Sequence, residues 1–478
     1  VQNGCVMHER SVSGTPLQVA ETICTHCEAC LSVGCPAIGF AEHTPRVNDE
    51  LCNGCSLCQQ VCWNCPAAND VGGFLQLALE GRHAEAYALL LKTNPFPAIT
   101  GRVCPHPCEM DTNALGLDLR GIYEKRFGEL AGQFHNGTEG RLSVRAVERF
   151  LGDFGLSQYR RPPSRPAPLK GSVAVVGSGP AGLTAAYYLA AEGHPVTVFE
   201  QLPEIGGMLT AGIPAFRLPR EVIERSLEPL RELGVQFRPG VAVGRDIPFA
   251  QIDRDFDAVF IATGFSEARP MGIPGEDLGG VVHGVKLLRD LNFGRKTEIG
   301  KHVLVVGGGN TAIDVARSVK RMGAAPVVAY RRALEDMPAI PEDVRDLVEE
   351  GIKIVPFLAP TRIEMAGGRL KVTFTRMQPG APDASGRPRP VPVPGSEHTQ
   401  EFDQVVAAVG ERAGFSELPS TLRHDQGLVT TDFSNSTNLQ GVFAGGDLSN
   451  GFGTVAHAIR SGRKAADAIH AYLAGKVR

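Results

Sequence analysis

Two strand–turn–helix patterns of the same kind, about 130 residues apart, constrain this 478-residue chain more than any other feature. The first runs Val173-Ala-Val-Val-Gly177-Ser-Gly179-Pro180-Ala181-Gly182: an apolar strand, a glycine turn and a helix predicted through Ala191. The next strand, Val196–Phe199, ends in Glu200, 18 residues beyond Gly182. Glycines permit the tight turn and the close approach of a pyrophosphate, whose charge rests on the helix N-terminus. The terminal carboxylate accepts hydrogen bonds from a ribose. A glycine turn in an empty α/β unit would explain the turn, but not strand, helix and Glu200 together. The second pattern runs His302-Val-Leu-Val-Val-Gly307-Gly-Gly309-Asn310-Thr311-Ala312, with a helix through Arg321 and a strand over Val327–Tyr330. Here Ala312 replaces the third glycine, and Arg331 and Arg332 stand where the first pattern has an acid. Guanidinium groups suit a 2′-phosphate and favour NADP over NAD. Two solvated arginines are the plain alternative, and both nucleotides stay open.

Cysteine placement adds a second constraint: all twelve precede residue 109. Cys24, Cys27, Cys30 and Cys35 form C-x2-C-x2-C-x4-C-P, and Cys52, Cys55, Cys58 and Cys62 form C-x2-C-x2-C-x3-C. Each run resembles the bacterial ferredoxin pattern, in which three close thiolates hold one cubane and the fourth cysteine reaches to the other. Two-residue gaps let a tight loop wrap three corners of a cube, and the last corner needs a distant residue. On that logic Cys24, Cys27, Cys30 and Cys62 hold one 4Fe–4S cluster, and Cys52, Cys55, Cys58 and Cys35 hold another. Cys62 lacks the following proline that Cys35 has. A zinc ribbon would use two cysteine pairs rather than triplets with a trailing cysteine. A disulfide framework would need a secreted context.

Length alone predicts roughly three domains. A net charge of −4 gives no reason to expect nucleic acid as a partner. No apolar run reaches the roughly 18 residues needed to span a bilayer, so no membrane is expected and the compartment is read as cytoplasmic. The expected fold class is α/β, with two Rossmann-like dinucleotide-binding domains preceded by a ferredoxin module and a helical iron–sulfur domain. The boundaries read from the sequence are 1–66 for a 2×(4Fe–4S) module, 67–160 for the helical domain and 161–170 for a Pro-rich basic linker. Residues 171–295 with 400–478 form the first nucleotide domain, and 296–399 the second. Pro379–Pro394 reads as a surface hairpin or loop.

A family resemblance rests on further stretches: Thr93-Asn-Pro-Phe-Pro, Gly101-Arg-Val-Cys-Pro, Gly206-Gly207-Met-Leu209, Gly212-Ile-Pro-Ala-Phe-Arg, Ala262-Thr-Gly, Tyr330-Arg-Arg, Gly445-Gly-Asp447 and Gly453-Thr454-Val455-Ala. With the two glycine turns, they make residues from about 59 to 475 resemble the small subunit of glutamate synthase and its relatives. Among those relatives are the N-terminal half of dihydropyrimidine dehydrogenase and the large subunit of NADH-dependent ferredoxin:NADP oxidoreductase. The resemblance implies FAD in the first site, with Asp447 near the ribityl chain, the backbone of Thr454 and Val455 near the flavin pyrimidine, and Gly207 and Leu209 among the contacting residues. It implies NAD(P)H in the second site, with hydride passing between stacked rings. No general acid or base is required, so no catalytic side chain is expected, and His457 is read as a capping or packing residue. No C-x-x-C occurs beyond the cysteine-rich region, which argues against disulfide exchange.

The same resemblance implies a cluster in the helical domain held by Cys65, Cys104, Cys108 and Glu124, with Cys5 as the competing fourth ligand. Buried apolar thiols are the plain alternative. The family's other helical-domain cluster needs a cysteine where this chain has Thr112, so three clusters in all are expected. Cys24 to Ile38 is similar to the ferredoxin tail of indolepyruvate and other 2-oxoacid:ferredoxin oxidoreductases. The implied activity is that of an electron-transfer subunit joining NAD(P)H, through FAD and 4Fe–4S clusters, to a partner in a hetero-oligomeric complex. The expected partner is a 2-oxoacid or aldehyde oxidoreductase. A glutamate synthase small subunit, a flavin-bifurcating transhydrogenase subunit and a scaffold with inert cofactors are the alternatives.

Overall fold

The computed structural model describes residues 65–109, 143–158, 169, 171–383, 387–451 and 453–476, together with short strand pairs at 6–7 with 18–19 and 38–41 with 44–47. The eight ferredoxin-pattern cysteines, Cys5, Glu124 and all of the 161–170 linker except Leu169 lie outside the described residues.

The chain divides into two compact units, one of residues 1–205, 220–264 and 417–478, the other of residues 206–219 and 265–416. Each is organised around a parallel sheet. In the first unit the Val173–Val176 strand lies between Val196–Glu200 and Ala258–Ile261, with Gln236–Pro239 and Val442–Ala444 at the edges. All four residues of Val173–Val176 are buried, as expected for a strand covered on both faces. The chain leaves this central strand to one side and returns to the other, so a topological switch point falls at its carboxyl end, where Gly177 begins the turn. Pro180–Ala191 follows, with Pro180 at its first position and nine of its twelve residues buried. The C-terminal helix Val455–Lys476 packs on it at close range: a Cβ on Gly462 would lie 2.2 Å from the Ala181 carbonyl oxygen.

Among the described residues, four α-helices precede that sheet in the first unit: Val71–Leu79, His83–Leu91, Pro97–Val103 and Val144–Gln158. The last two meet backbone to backbone, since a Cβ on Gly101 would fall 2.4 Å from the Arg149 nitrogen and one on Gly152 would fall 2.2 Å from the Ala98 nitrogen.

The second unit repeats the sheet logic. His302–Val306 lies between Ala325–Ala329 and Gln404–Ala407, with Lys353–Val355 and Val281–His283 outside them, all parallel. The boundaries expected at 295/296 and 399/400 are therefore corrected. Val281–His283 and Gln404–Ala407 hydrogen-bond into this sheet, because a five-stranded parallel core needs strands contributed from beyond the glycine motif itself. An antiparallel sheet of Leu358–Ala366, Arg369–Pro382, Pro388–Pro392 and His398–Phe402 completes the unit, and the Pro-rich segment forms its projecting hairpin.

Candidate functional site

Both glycine turns are built alike, and their geometry separates glycines the fold needs from glycines a ligand needs. Gly177 has φ +104°, and a Cβ there would sit 2.5 Å from the Ala262 carbonyl oxygen. Gly307 has φ +144° and would meet the Ala408 carbonyl oxygen at 2.1 Å. Gly182 would collide with the Gly177 carbonyl oxygen at 2.0 Å. These three serve the turn and the strand–helix packing. Gly179 and Gly309, by contrast, have ordinary φ values of −67° and −89° and nothing within 4 Å of a built Cβ. The open space beside each helix start is a cradle that a side chain would fill and a pyrophosphate could occupy.

Glu200 ends its strand buried, as the sequence placed it, but its carboxylate closes its own turn. It accepts from the Ser178 nitrogen (2.9 Å), the Ser178 hydroxyl (2.6 Å) and the Leu202 nitrogen (2.8 Å). Asp447 comes to the same end of the first unit: the adjoining Gly446 is seated against Ala181, with a Cβ position 2.9 Å from the Ala181 side chain. Asp447 accepts from the Gly453 nitrogen at 3.0 Å, and burial holds its carboxyl above the usual range. Thr454 and Val455 begin the C-terminal helix. The Thr454 hydroxyl lies 2.7 Å from His457 Nδ1 and accepts from the His457 nitrogen at 3.4 Å, so His457 belongs to the helix start. Burial, with Arg460 nearby, lowers the His457 pKa to about 4. Gly207 (φ +55°) and the buried Leu209 fall in the second unit, at the start of Met208–Ala211.

At the second turn Asn310 accepts from the Ile340 nitrogen (2.9 Å) and Thr311 donates to Glu411 (3.3 Å). Gly308 has no room for a Cβ because the Tyr330 ring lies against it, 2.4 Å from where that atom would be. Arg331 is exposed at the strand end. Arg332 is buried, is paired with Asp383, and has an Nε without a hydrogen-bond partner among the described residues.

Cys65, Cys104 and Cys108 are all buried and line one cavity in the first unit with Asn69, Thr100, His106, Glu148 and Ala456. The Asn69 nitrogen donates to the Cys65 sulfur and the His106 nitrogen to the Cys104 sulfur, each at 3.4 Å. Desolvation and the Glu148 charge push Cys65 up to about 11 and raise Cys104 as well, so without a cation these thiols stay protonated. Among the described residues no group of three or more His, Cys, Asp or Glu is arranged around a single metal ion. A cubane asks for something different, namely thiolates at separate corners with N–H donors to sulfur, and the donor set fits that group.

Glu148 was not singled out by sequence reasoning, which looked to Glu124. Its carboxylate accepts from Asn69 Nδ2 (3.2 Å), Asn94 Nδ2 (3.0 Å) and Thr100 Oγ1 (2.7 Å), and it meets His106 Nε2 at 2.7 Å. The available signal was an acid on the apolar face of a helix, in step with the buried Val144, Leu151 and Gly155.

The family model described as pyridine nucleotide-disulphide oxidoreductase matches residues 171–462. The model described as dihydropyrimidine dehydrogenase domain II, 4Fe-4S cluster, matches residues 37–116. The chain is 39% identical over 438 residues to the NADP(+)-dependent formate dehydrogenase subunit beta of Moorella thermoacetica, covering 86% of this chain and 59% of that protein's length. It is 35% identical over 468 residues to the glutamate synthase [NADPH] small chain of Azospirillum brasilense, covering 91% and 92%. Among solved structures, Mycobacterium tuberculosis FprA in complex with NADPH superposes with a TM-score of 0.56 at 19% identity, over 64% of this chain and 85% of that one, a likeness of fold.

Proposed function

The chain belongs to the pyridine nucleotide-disulphide oxidoreductase family, in the glutamate synthase small-chain group that carries a 4Fe–4S domain, and we propose that it is the NADPH-linked electron-transfer subunit of a larger oxidoreductase. One observation carries this reading. Ala456, beside the Thr454–Val455 backbone assigned to the flavin, lines the same cavity as Cys65, Cys104 and Cys108. A flavin site and an iron–sulfur site sharing one wall are what electron exchange between them requires.

When bound, FAD and 4Fe–4S clusters supply the conversion between a hydride pair and single electrons. The chain's own part is to hold and to exclude water. Gly179 and Gly309 leave room for the two pyrophosphates, Asp447 and the Thr454–Val455 backbone orient the flavin, and Arg331 and Arg332 select the nucleotide. Cys65, Cys104 and Cys108 hold a cluster, with Glu148 as the carboxylate facing it. The eight upstream cysteines hold two more, three in all. All cysteines lie before residue 109, so no cysteine pair inside 171–462 can serve disulfide chemistry.

The partner is a catalytic subunit acting on a small organic acid or aldehyde. A formate-linked assembly, as in the named relative, fits that class alongside the 2-oxoacid oxidoreductases. A glutamate synthase role is the second reading, favoured by end-to-end similarity to the small chain. Anaerobic purification with iron and flavin quantification, followed by NADPH and NADH titration under visible and paramagnetic spectroscopy, tests the proposal. About twelve iron per flavin and flavin bleaching by NADPH are expected from three four-iron clusters. No reduction by either nucleotide overturns the reading, and about eight iron removes one cluster.

A further inference from the structure

We infer that Arg387, on the projecting hairpin and nearly eighty residues from the second glycine turn, is a specificity residue for the 2′-phosphate of NADPH, held in place by the Arg332–Asp383 ion pair. The inference rests on the reading of the second site as a nicotinamide-nucleotide site and deepens it.

The hairpin strands Arg369–Pro382 and Pro388–Pro392 bring residues 383 and 387 together, and the Asp383 nitrogen donates to the Arg387 carbonyl at 2.9 Å. Asp383 is ion-paired with Arg332, which follows the Ala325–Ala329 strand, so the hairpin is pinned at the strand end. In this fold that strand end is where the adenosine ribose lies. Arg387 Nη1 donates to the Asp336 carbonyl oxygen (3.4 Å), the same oxygen to which the Tyr330 hydroxyl donates (2.8 Å). The Tyr330 ring in turn lies flush against Gly308 of the glycine turn. One aromatic ring therefore separates the nucleotide turn from a guanidinium contributed by a distant hairpin.

Arg331, Arg332 and Arg387 gather at this strand end with the carboxylates of Glu335, Asp336 and Asp383, so guanidinium donors and not net charge favour a phosphate here. Arg332 is 7% exposed, and its buried Nε has no hydrogen-bond partner among the described residues, a donor that a phosphate oxygen would satisfy. A planar fork of donors is suited to a phosphate in a way that a single ammonium is not.

The test is calorimetric binding of 2′,5′-ADP and 5′-AMP to the full chain, read as the ratio of their dissociation constants. The unmodified protein is expected to prefer 2′,5′-ADP, and Arg387→Ala to cut that ratio at least tenfold, with Arg387→Lys retaining part of it. Should Arg387→Ala fail to fold, Arg387→Gln, which keeps a donor for the Asp336 carbonyl, carries the same test. A ratio unchanged by the substitution overturns the inference. So does equal affinity of the unmodified protein for the two ligands, while leaving the nucleotide site intact. Binding of neither ligand overturns the inference together with the site reading beneath it.

Discussion

Glu148 Oε2 lies 2.7 Å from His106 Nε2, and this buried pair forms part of the wall of the three-cysteine cavity. The His106 nitrogen donates to the Cys104 sulfur, while Glu148 Oε1 gathers donors from Asn69, Asn94 and Thr100. One carboxylate thus ties the Val144–Gln158 helix to the loop that carries Cys104 and to the segment that follows Cys65.

Truncating that carboxylate should be costly. Glu148→Ala removes an acceptor shared by four buried groups, of which Asn94 Nδ2 and Thr100 Oγ1 keep Thr100 Oγ1 and the Phe96 carbonyl as alternatives, and is expected to destabilise the first unit by about 3 kcal/mol. Iron should fall by about four per flavin, the content of one cubane. Glu148→Gln, which keeps an acceptor oxygen, should lie between. Thermal unfolding and iron-to-flavin ratios check this, and unchanged iron in Glu148→Ala would refute it.

The two classes of glycine predict opposite phenotypes. Gly182→Ala and Gly307→Ala force a Cβ to within about 2 Å of a carbonyl oxygen and should reduce soluble, folded protein. Gly179→Ala and Gly309→Ala meet no protein atom and should leave the unfolding temperature within about 2 °C. The first should lose flavin, and the second should bind NADPH at least tenfold more weakly while keeping its flavin. Equal flavin loss in both would contradict the assignment of the two cradles.

Arg217 in the second unit bridges two buried carboxylates, Asp314 (2.7 Å) and Asp343 (2.6 Å). Burial is the main reason that Asp314 rises to about 7, with Asp343 adding to it and Arg217 opposing it. A carboxyl that keeps its proton in the folded state beyond the ordinary range binds more protons folded than unfolded. Stability should therefore decline as pH rises from about 4 to about 7 and then level off. Asp314→Asn should flatten that dependence and add about 1 kcal/mol at pH 8, whereas Arg217→Ala should cost about 3–5 kcal/mol. Urea unfolding across pH 5 to 8 separates these outcomes.

His457 predicts the reverse slope. Its pKa of about 4 lies below the unperturbed imidazole range, so its contribution is present above about 6.5 and is lost as pH falls toward 4. His457→Gln should reduce acid sensitivity of the first unit without moving its stability at pH 8 by more than about 1 kcal/mol. Greater acid sensitivity in the variant would show that the imidazole is not the group responsible.

By itself the sequence determined what is local and repetitive in this protein. Two glycine turns between an apolar strand and a helix announce two nucleotide folds, because steric limits on φ and on helix–strand distance act within a dozen residues. Cysteine spacing announces iron–sulfur chemistry for the same reason. Only the tertiary structure decided which distant groups meet. Glu148 joins Cys65, Cys104 and Cys108 across eighty residues because the glycines of two helices let them pack backbone to backbone. Val281–His283 and Gln404–Ala407 enter the second sheet through parallel pairing that no local pattern specifies. The burial of Arg332 was equally hidden, since its partner Asp383 sits on a hairpin fifty-one residues further along the chain. Burial and pairing at such separations depend on how elements close around a core, and the free energy of that closure is a property of the whole unit.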